Sequence, residues 1–353
     1  MKLKKLLGTA LIASAALTMA APEGNACSRV VYLGDNNDII LVGRTLDWRT
    51  PIPTNIYVYP QGMKKQSMPS GPMLKWTSRY GSVLAVGYDG GVTEGMNEAG
   101  LVMNGLFCKG SVYKEAVGPD DNTPVMSLAV LVSYFLDNFT TVDEAEAWLK
   151  ANEFNIFGKT FDGGTVSLLH WALTDRTGNT LLLEYDGGDL RLFKGRDLQV
   201  LTNDPQHEAM EAINNYWKGV NGVNMLPGTV RSADRYVRAS FFIHHVPTNF
   251  EYPEAFAALN SIMGTVSVPY GYEIEGEPNV SSTQWTSFAD LTGGKYYFRF
   301  ANNQGAFYID LGRLRLNPGA PVLKLDTSAP GRLEFFGDVN SHLKKSEPFT
   351  PMW

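Results

Sequence analysis

The chain has 353 residues and is acidic, with 36 Asp and Glu residues against 30 Lys and Arg residues and a formal net charge of −6. An acidic chain without basic runs is a poor nucleic-acid binder, so nucleic acid is excluded as a partner. Its two cysteines are too few for a disulfide framework, and its length allows a sizeable hydrophobic core.

The first 26 residues have the composition of a cleavable export signal. Lys2, Lys4 and Lys5 form a basic region. Residues 6–20 are apolar, and Gly-Asn-Ala at 24–26 has the small-x-small pattern that signal peptidase recognises. No later stretch approaches eighteen consecutive apolar residues, so we expect no membrane anchor after cleavage. The sequence therefore predicts a signal peptide and a bacterial protein that is periplasmic or secreted.

Cleavage at this site would make Cys27 the first residue of the mature protein. An α-amine titrates at about pH 7.7–8.0, so much of it is uncharged at working pH and can accept the proton of the thiol on the same residue. We therefore interpret Cys27 as a nucleophile with its own general base. Two alternatives stay open: a lipid-modified cysteine that anchors a non-catalytic binding protein, and a buried or disulfide-bonded cysteine. Lipoproteins usually have Leu three positions before the cysteine, where this chain has Gly24.

The elements that follow predict sheets enclosed by helices. Short apolar and β-branched runs separated by Gly, Asn or Asp predict strands at 28–33, 39–46, 56–59, 82–87, 101–107, 166–173, 180–185, 198–201, 284–288, 296–300 and 306–311. Apolar periodicity and a capping box predict helices at 124–139, 141–151, 205–216, 232–245 and 253–263. This order is not a regular βαβ alternation, and it favours the α+β class. Without a repeat or a clear linker, residues 27–353 are predicted to form a single catalytic domain.

The opening hairpin returns the chain toward Cys27 with the sequence GRTLDW at 43–48. Arg44 is a candidate for stabilising a thiolate, and Asp47 is a candidate for accepting hydrogen bonds from the α-amine. By themselves, an Arg and an Asp three residues apart more often form a surface ion pair. Cys108 ends an apolar run and is interpreted as a small buried thiol.

Five segments, in this order along the chain, carry a resemblance to a known family. They are CSR at 27–29, GRTLDW at 43–48, GMNEAGL at 95–101, LTNDP at 201–205 and SADRYVR at 232–238. This set resembles the choloylglycine hydrolase family, the N-terminal-nucleophile hydrolases that include penicillin V acylases and conjugated bile acid hydrolases. The likeness extends along nearly all of the predicted mature chain. It implies a four-layer αββα fold and hydrolysis of linear, non-peptide amide C–N bonds with no metal or organic cofactor.

The resemblance also implies roles for individual residues. Cys27 matches the nucleophile, Arg44 the arginine beside it, and Asp47 the carboxylate that holds the α-amino group. Asn203 matches the asparagine whose side-chain amide donates to the oxyanion, and Arg235 matches the second active-site arginine. Without the family, the last two residues read as a turn asparagine and a helix-surface arginine.

Three further residues are predicted to bind substrate. Many family members have Asn or Tyr where the strand register places Phe107, and they donate to the oxyanion from that backbone N–H. Asn104, three residues away, is the polar alternative. Trp48 matches tryptophans that line the acyl pocket in acylases of Gram-negative bacteria, although a core position explains it nearly as well.

The predicted substrate is a small N-acyl amide. Penicillin V, bile acid conjugates and N-acyl homoserine lactones all present an amide beside an apolar acyl group, so an N-acyl homoserine lactone acylase remains an alternative. The family suggests a homotetramer. Adjacent residues on a helix point about 100° apart, so His244 and His245 do not predict a metal site.

Overall fold

The computed structural model describes residues 27–114, 121–161, 164–275, 277–303, 305–328 and 334–353. The predicted signal peptide at 1–26 lies outside the described residues. Among the residues that are described, no helix combines the length and the apolar character needed to cross a bilayer.

Most of the described chain forms two large β-sheets. The strands, numbered in chain order, are β1 (Ser28–Leu33), β2 (Ile40–Trp48), β3 (Thr54–Tyr59), β4 (Lys64–Gln66), β5 (Lys75–Thr77), β6 (Ser82–Gly87), β7 (Gly91–Asn97), β8 (Val102–Phe107), β9 (Val125–Ser127), β10 (Asn155–Phe157), β11 (Leu169–Thr174), β12 (Thr180–Asp186), β13 (Asp189–Gly195), β14 (Val200–Leu201), β15 (Tyr272–Ile274), β16 (Glu277–Asp290), β17 (Lys295–Phe300), β18 (Phe307–Asp310), β19 (Leu323–Leu325), β20 (Gly337–Asp338) and β21 (Lys344–Lys345). The first sheet has the order β14-β1-β2-β16-β17-β18-β20, with β15 paired to β16. The second sheet has the order β13-β12-β11-β8-β7-β6-β3-β19-β21.

The helices cover the two outer faces of these sheets. They are α1 (Leu128–Asn138), α2 (Val142–Ala151), α3 (His207–Val220), α4 (Ser232–Ile243) and α5 (Tyr252–Val266). One apolar cluster joins α1 and α2 to the second sheet, a second lies between the sheets, and a third joins α3, α4 and α5 to the first sheet. The order of layers is helix, sheet, sheet, helix, which confirms the predicted αββα arrangement of the α+β class.

The opening hairpin forms as predicted and sets the position of Cys27. β1 pairs antiparallel with β2, with Ser28 opposite Thr45, so Cys27 lies beside the last residues of β2. On its other side, β1 pairs with β14, with Arg29 opposite Leu201. The start of β1 therefore lies between the end of β2 and the chain that leaves β14.

The start of α1 and the presence of β7 differ from the sequence prediction. The helix predicted from residue 124 begins at Leu128, because residues 125–127 form β9, which pairs in parallel with β10, and the Ser127 side chain caps the helix. β7 was not predicted as a strand, because its glycines and its central Glu94 do not have the composition of one. Gly95 suits this strand because a Cβ there would lie 2.4 Å from the carbonyl oxygen of Val83.

Candidate active site

Cys27 lies at the edge of a largely apolar cavity of about 150 Å³. Its side chain is only 4% exposed. Arg44, Asp47, Trp48 and Phe107 line the same cavity. Cys27 is a free thiol, so the disulfide alternative is wrong for this structure.

Both the nitrogen and the sulfur of Cys27 contact residues predicted for the site. The nitrogen donates to Asn203 Oδ1 at 2.6 Å, and Asn203 lies two residues after the end of β14. The sulfur lies 3.7 Å from Arg44 Nη2 and 3.9 Å from the backbone oxygen of Asp47, both on β2. The strand order β14-β1-β2 brings these residues together although 176 positions separate Cys27 from Asn203.

Arg235, on α4, joins the same cluster from the outer helical layer. It is fully buried, and its guanidinium donates to the Cys27 carbonyl oxygen at 2.6 Å, to Asn203 Oδ1 at 2.9 Å and to the Ser28 hydroxyl. Burial lowers the pKa of Arg235 to about 10, although the nearby Asp47 opposes this shift. The residue therefore remains a cation at neutral pH. Its complete burial shows that it is not the helix-surface arginine that its sequence alone suggests.

Asp47 has one partnered and one unpartnered carboxylate oxygen. Oδ2 accepts a hydrogen bond from Thr45 at 3.1 Å, whereas buried Oδ1 has no hydrogen-bond partner among the described residues. Burial raises the pKa of Asp47 to about 6, against the opposing effects of Arg235 and of hydrogen bonds from Thr283 and Thr45. A buried carboxylate oxygen without a partner is costly, so this position favours an additional donor or cation.

Arg44 forms an ion pair with a buried acidic residue, Glu94, that the sequence analysis did not identify. Its Nη1 lies 3.3 Å from Glu94 Oε2 on β7, and Nη2 donates to the Gly105 carbonyl oxygen at 3.0 Å. Glu94 also accepts from Tyr296 at 2.5 Å and from the hydroxyl of Ser287. The guanidinium is therefore ion-paired on one side and free to face the Cys27 sulfur on the other.

Asn104 is not part of the cavity wall, which corrects its prediction as a substrate-binding residue. Its Oδ1 accepts from Arg29 Nε at 2.8 Å, and its Nδ2 donates to Glu94 at 3.2 Å. Successive side chains of a strand point to opposite faces, and the cavity contacts β8 through Gly105 and Phe107. Asn104 therefore belongs to the network behind Arg44.

Phe107 and Trp48 do line the cavity, with ring centroids 5.4 Å apart. Phe161, which the sequence analysis missed, lies 5.4 Å from Trp48 on the same wall. The Phe107 carbonyl oxygen accepts from Asn203 Nδ2 at 2.7 Å. Because the N–H and C=O of a strand residue point to the same edge, the Phe107 N–H is directed toward the Asn203 side as well.

The other residues considered from the sequence lie outside this cluster. His244 and His245 each place Nδ1 against a backbone carbonyl oxygen one helical turn earlier, at 2.7 and 2.6 Å. In the described part of the chain, no group of three His, Cys, Asp or Glu side chains is arranged to hold a metal ion. Cys108 is a buried free thiol 3.7 Å from Asp204.

Comparison with known proteins identifies the class to which this fold and site belong. The sequence profile of the linear amide C–N hydrolases, choloylglycine hydrolase family, matches residues 27–324. The chain therefore belongs to the choloylglycine hydrolase family, whose members hydrolyse linear amides.

Individual relatives are penicillin V acylases and bile salt hydrolases. The chain is 35% identical to penicillin V acylase from Pectobacterium atrosepticum, over 95% of this chain and 94% of that protein. It is 27% identical to a bile salt hydrolase/transferase from Clostridium perfringens, over 78% of this chain and 90% of that protein. The solved structure of penicillin V acylase from Agrobacterium tumefaciens superposes with a TM-score of 0.84 at 38% identity, covering 92% of this chain and 99% of the other.

Proposed function

We propose that this chain is an exported N-terminal cysteine amidohydrolase that uses Cys27 as its nucleophile once residues 1–26 have been removed. The observation that carries the proposal is the position of the Cys27 nitrogen, buried in the site and 2.6 Å from Asn203. A backbone N–H in the middle of a chain is uncharged, so it does not explain why two buried arginines, Arg44 and Arg235, and a buried carboxylate surround this position. After cleavage this nitrogen becomes an amine, and the unpartnered Oδ1 of Asp47 supplies an acceptor in the same site.

The mechanism follows from the groups around Cys27. The thiol gives its proton to the α-amine, directly or through a water, and the thiolate attacks the amide carbonyl carbon. Asn203 Nδ2 carries two hydrogens, so it can bond Phe107 and still donate to the oxyanion together with the Phe107 N–H. The α-ammonium then protonates the leaving amine, and water hydrolyses the acyl thioester.

The buried charges around the sulfur favour an anion there. The cluster contains three guanidiniums, Arg29, Arg44 and Arg235, against the carboxylates of Glu94 and Asp47. All five side chains are at most 2% exposed, so water screens them weakly. Of these cations, Arg44 lies close to the sulfur, with Nη2 3.7 Å away, and it can stabilise negative charge that develops there during the reaction.

For the substrate, we propose an aryl-acyl amide such as penicillin V. The rings of Trp48, Phe107 and Phe161 make the wall beside Cys27 aromatic, which suits a phenoxyacetyl group. The relatives at 35% and 38% identity are named penicillin V acylases, whereas the named bile salt hydrolase is at 27%.

We also propose a periplasmic or secreted location and, by analogy with the family, a homotetramer.

Intact-mass measurement and N-terminal sequencing of the exported protein test the proposed cleavage. We expect a chain that begins at Cys27 with an unmodified α-amine. The mass separates this form from a lipid-anchored protein, which would carry acyl chains on the same cysteine. Active material that begins elsewhere or is blocked at its amine would contradict the mechanism.

The raised pKa of Asp47 provides a second test. If residue 26 is retained, Asp47 keeps a pKa of about 6 when folded, against 3.8 as its ordinary value. Between these values the folded state binds a proton that the unfolded state has lost, so stability falls as the pH rises through this window. Relative to Asp47→Asn, we expect the uncleaved protein to lose about 2 kcal/mol of unfolding free energy between pH 4 and 6.5.

In the cleaved protein, the α-ammonium near Asp47 should lower this pKa and remove most of that loss. Urea unfolding of cleaved and uncleaved proteins, each with Asp or Asn at position 47, measures the difference. An equal pH-dependent loss in the cleaved and uncleaved forms would show that the amine does not contact Asp47.

A further inference from the structure

The segment at 346–353 reaches the wall of the substrate cavity. The Phe349 N–H donates to the Tyr59 hydroxyl at 3.0 Å, and the two rings meet edge-on with centroids 6.1 Å apart. Three residues later, the Met352 N–H donates to the Gly90 carbonyl oxygen at 2.8 Å. These two anchors fix the segment on either side of residue 350 and bring Met352 to the cavity wall.

Met352 packs where two neighbouring positions have no side chain. A Cβ on Gly90 would lie 2.4 Å from Met352 Cγ, and the next two atoms it would meet also belong to Met352. A Cβ on Gly91 would lie 3.9 Å from Met352 Cε and 3.7 Å from the Cα of Ala129. The side chain therefore occupies the space that the two glycines leave, and its terminal methyl lies near Ala129 in the wall.

From this geometry we propose that Met352 is a specificity-determining residue that limits the size of the acyl group. The inference rests on the proposed function, because it takes this cavity as the acyl site. Trp48 and Phe107 belong to strands and are held by their sheets, whereas Met352 is an unbranched side chain on an irregular segment. The contacts described above for Cys27 and Asn203 do not involve Met352, so shortening it changes the cavity and leaves the reacting groups in place.

If Met352 closes part of the cavity, it determines how long an acyl chain the cavity accepts. Each methylene accommodated or rejected by an apolar pocket changes kcat/KM by about tenfold or more. Met352→Ala removes three heavy atoms from the wall. We therefore expect its preferred straight-chain acyl group to lengthen by about two or three carbons, with kcat/KM for the longer chains rising about tenfold for each methylene newly accommodated.

The test uses the cleaved full chain and a series of N-acyl glycines with acyl groups of 4 to 14 carbons, which keeps the leaving amine constant. Met352→Ala should move the optimum to longer chains, and Met352→Trp should move it to shorter ones. Met225→Ala is the matched control, because Met225 is 59% exposed and does not line the cavity. Its profile should coincide with that of the unmodified protein.

A second variant tests the contact without changing Met352. Gly90→Ala should displace the Met352 side chain and alter the chain-length profile, whereas the same change added to Met352→Ala should have no further effect. Profiles that stay unchanged in both Met352 variants would overturn this inference alone. Failure of the unmodified protein to hydrolyse any member of the series or penicillin V would overturn the proposed function together with it.

Discussion

Replacing Cys27 with Ala is expected to lower kcat for penicillin V hydrolysis by at least about 10⁴-fold, because removing a covalent nucleophile costs up to about 10⁶ in comparable enzymes. Cys27→Ser should also be slow, since a hydroxyl ionises far less readily than a thiol. Release of the β-lactam amine from purified, cleaved protein measures both effects. The cavity and its other walls are unchanged in these variants, so the loss should be in kcat.

Cys108→Ala is the matched control for this prediction, because Cys108 is the other buried thiol and is fully enclosed. It should retain most activity. One equivalent of iodoacetamide should alkylate Cys27 in the folded protein and inactivate it in proportion. Full activity in Cys27→Ala, or inactivation that follows modification of Cys108, would contradict the assignment of the nucleophile.

Features that depend on nearby residues were predictable from the sequence. The prediction of the opening hairpin was correct because its two strands are joined by a short polar turn. The prediction of α2 was correct because Thr141 and Glu144 form the capping box at its start. Such signals lie within a few residues of the element that they specify, so they do not require knowledge of the tertiary structure.

The roles of Arg44 and Asp47 depend on which residues of distant segments lie beside them. Three positions apart on one strand, they are consistent with a surface ion pair. Their actual counter-ions are Glu94, which is 50 positions from Arg44, and Arg235, which lies on α4. No local pattern contains this information, because the sheet order sets which residues meet. The family resemblance supplied it by matching several segments together.

The residues that the sequence analysis missed show the same limit. Phe161 and Met352 reach the cavity from irregular segments far from Cys27, and neither belongs to one of the five motifs. Asn104 was chosen as a polar side chain near Phe107, and no local signal revealed the buried Arg29 and Glu94 that it bridges. Individual cavity walls are therefore less predictable than the reacting groups.

Replacing Asn203 with Ala is expected to reduce kcat by about 10²–10³-fold, which is the usual cost of losing one oxyanion donor. The oxyanion exists only after attack, so KM should change little. Asn203→Asp separates the two functions of this side chain, because it keeps an acceptor for the Cys27 nitrogen and removes the donor. We expect Asn203→Asp to be about as slow as Asn203→Ala if donation to the oxyanion dominates.

Asn138→Ala is the matched control, since its Nδ2 makes a hydrogen bond of similar length, 2.7 Å to the Tyr134 carbonyl oxygen, at the end of α1. Its kcat should stay within a few-fold of that of the unmodified protein. Steady-state kinetics with penicillin V, and melting temperatures for all three variants, separate catalysis from stability. If Asn203→Asp keeps nearly full kcat while Asn203→Ala does not, Asn203 serves to hold the Cys27 nitrogen, and the oxyanion must be bound by other donors.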